Sequence, residues 1–132
     1  MIKDKSVETF LDELAGSSST PGGGSAAAVM GATGAALLSM VANLTVGKEK
    51  YAGVEADMQK LLQRTEELRS HLTGMIQADV AGFDKVMAAY AMPRDSDDDK
   101  VRRSAAIQTA LKEATDVPLE CARLCAEVVR LS

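Results

Sequence analysis

A chain of 132 residues and 13.9 kDa is the size of one domain, here taken as residues 1–132. With 46% hydrophobic but only 3% aromatic residues and no Trp, its core must come from aliphatic and alanine contacts, which favours helices over strands. The 15 basic and 19 acidic residues leave a net charge of −4, which argues against a general nucleic-acid binder, and two cysteines make no disulfide framework.

The opening MIKDKSVETF lacks the apolar segment of a signal peptide, so a reducing cytoplasm is the expected location. From about Lys5 to Ala15, Val7, Phe10, Leu11 and Leu14 form a helical stripe that should cover a core edge. Residues 16–24, GSSSTPGGG, read as a loop entering the next helix. Ser25 through Gly47 carries no charge over 23 positions and is long enough to cross a bilayer. Its Ala and Gly content, with Ser25, Ser39, Asn43 and Thr45, fits a closely packed soluble helix better, so no membrane partner is expected. Ala27, Gly31, Gly34, Leu38 and Ala42 mark the narrow face proposed for close packing.

A longer pattern runs from about Tyr51 to Ala91, with Val54, Met58, Leu61, Thr65, Leu68, Leu72, Met75, Asp79, Phe83, Val86 and Tyr90 at steps of mostly three and four. A straight helix of that length exceeds the radius of a compact chain, so a kink, with Gly74 and Gly82 as candidates, or a shared interface is expected. Pro93 ends the segment, and Ser96 with Asp99 has the form of a capping box. The next helix carries Val101, Ser104, Ile107, Leu111 and Ala114, and Pro118 is expected to begin a last one carrying Leu119, Ala122, Ala126 and Val129. The expected architecture is all-α, with four or five helices, two of them long, dimerising through apolar faces.

Three places carry candidate chemistry. Gly22, Gly23, Gly24 and Ser25 precede a helix whose unpaired N–H groups can bind an anion, although neither phosphate-loop spacing is present and a tight packed connection is the plain alternative. Asp79 interrupts an apolar stripe; a buried carboxylate needs an ion-pair partner, a polar ligand or a proton-carrying role. Asn43, Thr45, Lys48 and Lys50 cluster where the uncharged helix ends, offering hydrogen bonds and positive charge. His71 reads as a surface residue of a helix. Cys121 and Cys125 supply only two soft ligands, so no metal site is expected.

The blocks TPGGGSAAA (20–28), MVANLTVGKEKY (40–51), DVAGFDKVMAAYAMPR (79–94) and AIQTALKEATDVPLECA (106–122), in this order, resemble the cyclodeaminase/cyclohydrolase family. That family includes the C-terminal domain of formiminotransferase-cyclodeaminase and bacterial methenyltetrahydrofolate cyclohydrolases. The resemblance covers nearly the whole chain and implies an all-α fold, a homodimer or higher homo-oligomer, and a tetrahydrofolate derivative as substrate, with no prosthetic cofactor. It implies further C-terminal helical sequence beyond Ser132, whose absence would remove part of the cleft.

Carried over residue by residue, the resemblance makes Asp79 the catalytic candidate, with Gly22, Gly23, Gly24, Ser25, Asn43, Thr45 and Lys50 as substrate contacts. Lys50 would face the anionic folate tail and Asn43 the pterin. The implied reaction is hydrolysis of 5,10-methenyltetrahydrofolate to 10-formyltetrahydrofolate. The alternatives are a formiminotetrahydrofolate cyclodeaminase releasing ammonia, and a non-catalytic folate-binding or oligomerisation module.

Overall fold

The computed structural model describes residues 1–132 and contains four α-helices and no strand: α1 (Val7–Ala15), α2 (Gly23–Thr45), α3 (Glu55–Tyr90) and α4 (Asp97–Leu131). Short 3-10 turns occupy Ile2–Asp4 and Glu49–Val54. The all-α expectation holds, with α3 and α4 as the two long helices.

The first helix starts at Val7 because Ser6 caps it, its side chain accepting the Thr9 N–H at 3.1 Å. Of the stripe expected to cover a core edge, only Phe10 is buried; Val7 and Leu11 are exposed. Lys5 is drawn to Glu13 at 2.6 Å, a surface pair that holds the segment before α1 against its last turn.

By length and composition alone α2 could cross a membrane, with a mean hydropathy of 1.6 in its most apolar window. In this fold it is the central packing element. Ser25, Ala28, Gly31, Ala35, Ser39 and Ala42 are buried, a face rotated from the one expected, since Gly31 and Ala42 belong to it and Ala27 lies outside it. Small side chains let the neighbouring backbones approach. A β-carbon on Gly31 would stand 2.6 Å from Cys125 Sγ and 3.2 Å from both Leu72 methyl carbons, so Gly31 is the pinch between α2, α3 and α4.

The kink expected in the long segment lies before α3, where Tyr51 leaves helical geometry at φ −112° and ψ 19°. From Glu55 the 36 residues of α3 run unbroken through both Gly74 and Gly82, about 54 Å at the helical rise. Gly82 serves packing instead of bending: a β-carbon there would meet Ala114 Cα at 3.5 Å, so α4 approaches closely at that level.

The capping box at Ser96 and Asp99 is formed, and α4 continues from Asp97 to Leu131 with Pro118 inside it. The separate last helix is therefore absent. Proline removes one backbone hydrogen bond, but Ile107, Ala110, Cys121, Leu124 and Val128 are buried, with Ala114 and Val117 half-buried between them. This stripe passes Pro118 at unbroken steps of three and four and holds both halves in one phase. Restarting the phase at Pro118 selects the wrong side: Leu119, Ala122, Ala126 and Val129 are all exposed, as are Val101, Ser104 and Leu111 of the preceding stretch.

The main core joins Ala28 and Ala35 of α2 to Leu68, Leu72, Met75 and Ile76 of α3 and to Cys121, Leu124 and Val128 of α4. The pairings Ser25 with Ile76 and Ser39 with Thr65 make α2 antiparallel to α3. Past the start of α2 the α3–α4 pair continues as a two-helix arm around Ala89, Ile107 and Ala110. Arg64 of α3 grips both carboxylate oxygens of Glu127 on α4, at 2.5 and 2.6 Å.

Near its middle, α2 is tied to α3 by a polar chain. Ser39 Oγ lies 2.8 Å from Thr65 Oγ1 and donates to Glu66 Oε2 at 3.0 Å. Arg69 beside Glu66, with help from Ser39, holds the Glu66 carboxyl below the usual carboxylate range. Two predictions follow from these contacts. Gly31→Ala should destabilise by about 1–2 kcal/mol, overpacking outweighing the helix preference of Ala, seen as a lower urea midpoint.

Ser39→Ala should lose about 1–2 kcal/mol by the same measurement. A carboxyl held low contributes stability fully above its unfolded value and loses it as pH falls through its folded value. The difference between Ser39→Ala and the parent should therefore shrink in acid.

Candidate active site

Asp79 lies on α3 where the antiparallel α2 begins. Gly22, the residue that caps α2, has no side chain to offer the orphan N–H groups of the first turn. The Asp79 carboxylate supplies that function from another helix: the Ser25 N–H donates to Asp79 Oδ2 at 3.0 Å. The serine hydroxyl donates to the Ile76 carbonyl at 2.9 Å and lies 3.3 Å from Oδ2. A carboxylate in that position also complements the positive end of the helix dipole.

The space for this arrangement comes from Gly24. A β-carbon there would fall 2.0 Å from Asp79 Oδ1, 2.4 Å from Cγ and 2.7 Å from Oδ2. Any side chain at position 24 would thus expel the carboxylate. Gly23 has open space around the corresponding position, and a β-carbon on Gly22 would meet only the Ser19 carbonyl, at 3.4 Å. Among the three consecutive glycines, Gly24 is the one that the site requires.

The two carboxylate oxygens differ. Oδ2 takes the contacts from Ser25, whereas Oδ1 accepts no hydrogen bond and Asp79 belongs to no ion pair. Because no buried side-chain oxygen of the chain is left without a partner, Oδ1 reaches solvent. The carboxylate is hydrogen-bonded through Oδ2, while Oδ1, seated beside Gly24, carries no hydrogen bond. Burial pushes the nearby Cys121 thiol up to about 11, with the Cys125 thiol and the Asp79 charge adding to the effect, so Cys121 is a neutral wall residue near neutral pH.

The structure brings Gly22, Gly23, Gly24 and Ser25 together with Asp79. It places Asn43, Thr45 and Lys50 at the opposite end of α2; Ser25 and Asn43 are 18 residues apart on one helix, about 27 Å. Asn43 is exposed, Thr45 Oγ1 turns back to the Val41 carbonyl at 2.8 Å, and Lys50 lies over the Tyr51 ring at 5.4 Å. His71 is exposed on α3.

None of the five surface cavities is lined by Asp79, Gly24, Asn43 or Lys50. One of about 310 Å³ is lined by Thr20, Pro21, Gln77 and Val80, beside the glycine-rich entry. Two features of the site escaped sequence reasoning: the Ile76 carbonyl as the anchor of Ser25, and Gly24 as the seat of Asp79. Both join residues more than 50 positions apart, which no local pattern reports.

Residues 6–132 match the family model described as Formiminotransferase-cyclodeaminase. Over its full length the chain is 58% identical to a methenyltetrahydrofolate cyclohydrolase of Methylorubrum extorquens, of which it spans 64%. It is 37% identical over 124 residues to the formimidoyltransferase-cyclodeaminase of Sus scrofa, covering 94% of this chain and 23% of that protein. The crystal structure of formiminotetrahydrofolate cyclodeaminase from Thermotoga maritima superposes with a TM-score of 0.74 at 30% identity, over 99% of this chain and 76% of that one. A helical fold shared over almost every residue and a family match that includes both the glycine-rich entry and Asp79 lead to one assignment: the chain belongs to the formiminotransferase-cyclodeaminase family.

Proposed function

We propose that this chain carries the catalytic helices of a methenyltetrahydrofolate cyclohydrolase, with Asp79 as its proton-transferring residue. The observation that carries this reading is the open Oδ1 of a carboxylate otherwise held at the entry of α2. The 58% identity to a cyclohydrolase supports the choice of reaction. Water adds to the electrophilic bridging carbon of 5,10-methenyltetrahydrofolate while Oδ1 accepts one of its protons. The same carboxyl then returns that proton to N5 as the carbon–N5 bond breaks, and the remaining hydroxyl proton leaves to solvent as the formyl carbonyl forms. The anionic carboxylate also stabilises the cationic substrate. The reaction is neither oxidation nor reduction, and the protein is read as a soluble cytoplasmic enzyme.

One subunit separates the two groups of candidate contacts by the length of α2, and an antiparallel homodimer reunites them. Ala27, Met30, Gly34, Leu37, Val41 and Leu44 follow one another at steps of three and four on the side of α2 away from α3, its Gly34 bordering Val128 of α4; Met30, Leu37, Val41 and Leu44 are 52–75% exposed. The stripe is self-complementary when reversed. Ala27 would oppose the partner's Leu44, Met30 the partner's Val41 and Gly34 the partner's Leu37, as an isologous two-fold contact requires. In that register the end of α2 bearing the partner's Asn43, the partner's Thr45 and the partner's Lys50 comes to the Asp79 entry, where the amide and ammonium would meet the pterin and the anionic tail.

A cyclodeaminase is the second reading, favoured by the relatives and the solved structure that carry that name. There N10 attacks the formimino carbon, and a protonated Asp79 would deliver the proton with which ammonia departs.

Asp79→Asn keeps an oxygen to accept the Ser25 N–H but cannot carry the proton. It should lower methenyltetrahydrofolate hydrolysis by about 10²–10⁴-fold while the midpoint of thermal unfolding stays nearly unchanged. Undiminished turnover would remove Asp79 from the chemistry, ammonia release from the formimino substrate would select the cyclodeaminase, and folate binding with neither turnover would select a non-catalytic module. Leu37→Glu should convert a dimer to a monomer in light scattering and abolish turnover together. A monomeric, active parent protein would refute the shared site.

A further inference from the structure

The serine at the entry of α2 was expected among the substrate contacts. Its geometry points elsewhere. Ser25 is completely buried, its hydroxyl proton is directed to the Ile76 carbonyl at 2.9 Å, and both its N–H and Oγ approach the same oxygen of Asp79. A side chain so enclosed cannot meet a pterin without leaving both of its contacts. The neighbouring Gly24 supplies the other half of the arrangement, because its missing β-carbon is the volume in which the Asp79 carboxyl rests.

We infer that Ser25 and Gly24 are positioning residues that anchor Oδ2 of Asp79 and leave Oδ1 as the single oxygen presented to the reacting atoms. This rests on the proposed role of Asp79. The glycine acts by exclusion: it lets the carboxyl enter the first turn of α2 far enough for the Ser25 N–H to reach Oδ2. The serine acts by attachment: its hydroxyl joins the first turn of α2 to the Ile76 carbonyl one turn before Asp79, so the register between α2 and α3 is fixed where the reaction needs it. Reading the pair as substrate contacts would place the ligand's polar groups against a buried hydroxyl whose proton already has an acceptor.

Gly24→Ala tests the positioning directly. Alanine favours a helix over glycine, and the group its β-carbon would strike is the end of one side chain, which can rotate away. The variant should still fold, with an unfolding midpoint modestly below that of the parent because the buried Ser25 N–H loses its acceptor, while kcat for methenyltetrahydrofolate falls about 100-fold, the scale of an ångström-sized misplacement. Combining Gly24→Ala with Asp79→Asn should cost little beyond Asp79→Asn alone, since a displaced carboxyl has no remaining role to lose.

Ser25→Ala gives the independent measurement: kcat about 10-fold lower with KM within about twofold of the parent, the pattern of an effect on the reacting geometry and not on uniform binding. If Asp79→Asn alone leaves turnover intact, the underlying role of Asp79 fails. If Asp79→Asn is inactive while Gly24→Ala retains the parent kcat, the positioning inference fails by itself. A raised KM with unchanged kcat in Ser25→Ala would instead make the serine a substrate contact and overturn the inference, whether or not Gly24→Ala folds.

Discussion

The molecule is organised around one carboxylate placed at the open end of a helix that cannot cap itself. Glycine at the cap position of α2 offers no side-chain acceptor, and the Ser25 N–H would otherwise lack a partner in a buried place. Asp79 satisfies it from 54 residues away in sequence. This contact ties the start of α2 to α3 on the same side that carries the buried Ala28 and Ala35, the pinch at Gly31 and the Ser39–Thr65 link. The same contact uses one oxygen of the carboxylate and leaves the other without a hydrogen bond, so under the proposed function one side chain meets a structural requirement and a chemical one.

Glycine-rich entries to helices are read as anion receptors because exposed N–H groups and the helix dipole favour negative charge. Here a resident anion occupies that position. A second anionic group at the same N–H would compete with Asp79, so the proposed function places the negatively charged tail of a folate toward the lysines and not toward residues 22–25. Under the proposed function, the negative centre suits a cationic one-carbon unit and the positive charge lies at the far end of α2. Those ends lie about 27 Å apart in one subunit, which is why the proposed shared site calls on the outward stripe of α2. A helix that buries small residues on one side and presents Met30, Leu37, Val41 and Leu44 on the other has two packing faces, only one of which α3 and α4 cover.

Much of this was legible in the sequence where side-chain periodicity carries information. The stripe from Thr65 through Met75 is buried as its spacing implies, and Asp79, the carboxylate interrupting that pattern, reaches the entry of the neighbouring helix. The capping box at Ser96 and Asp99 is a local motif and was readable as such. Phase was harder. In α2 nearly every position is apolar or small, so composition does not distinguish the face toward α3 from the outward one, and the packing of Gly31 against Leu72 and Cys125 decides. In α4, Pro118 reads locally as a helix start, yet a core stripe continuing from Ile107 to Val128 outweighs one lost backbone bond.

The roles within the glycine-rich entry were the least legible, for a geometric reason. Gly22, Gly23 and Gly24 are chemically identical and adjacent, so sequence alone assigns them one shared role. In three dimensions the first caps α2 without a side chain, the second faces open space, and the third lies against a carboxyl group. Ser25 shows the converse difficulty: a hydroxyl beside glycines at a helix entry resembles a ligand contact, whereas its burial and its bond to Ile76 are the observations behind the positioning role inferred for it. What separates support from contact is the direction in which the polar atoms point. In this entry those atoms converge on Asp79 Oδ2 and the Ile76 carbonyl, and the oxygen without a hydrogen bond, Asp79 Oδ1, is the one the proposed proton transfer uses.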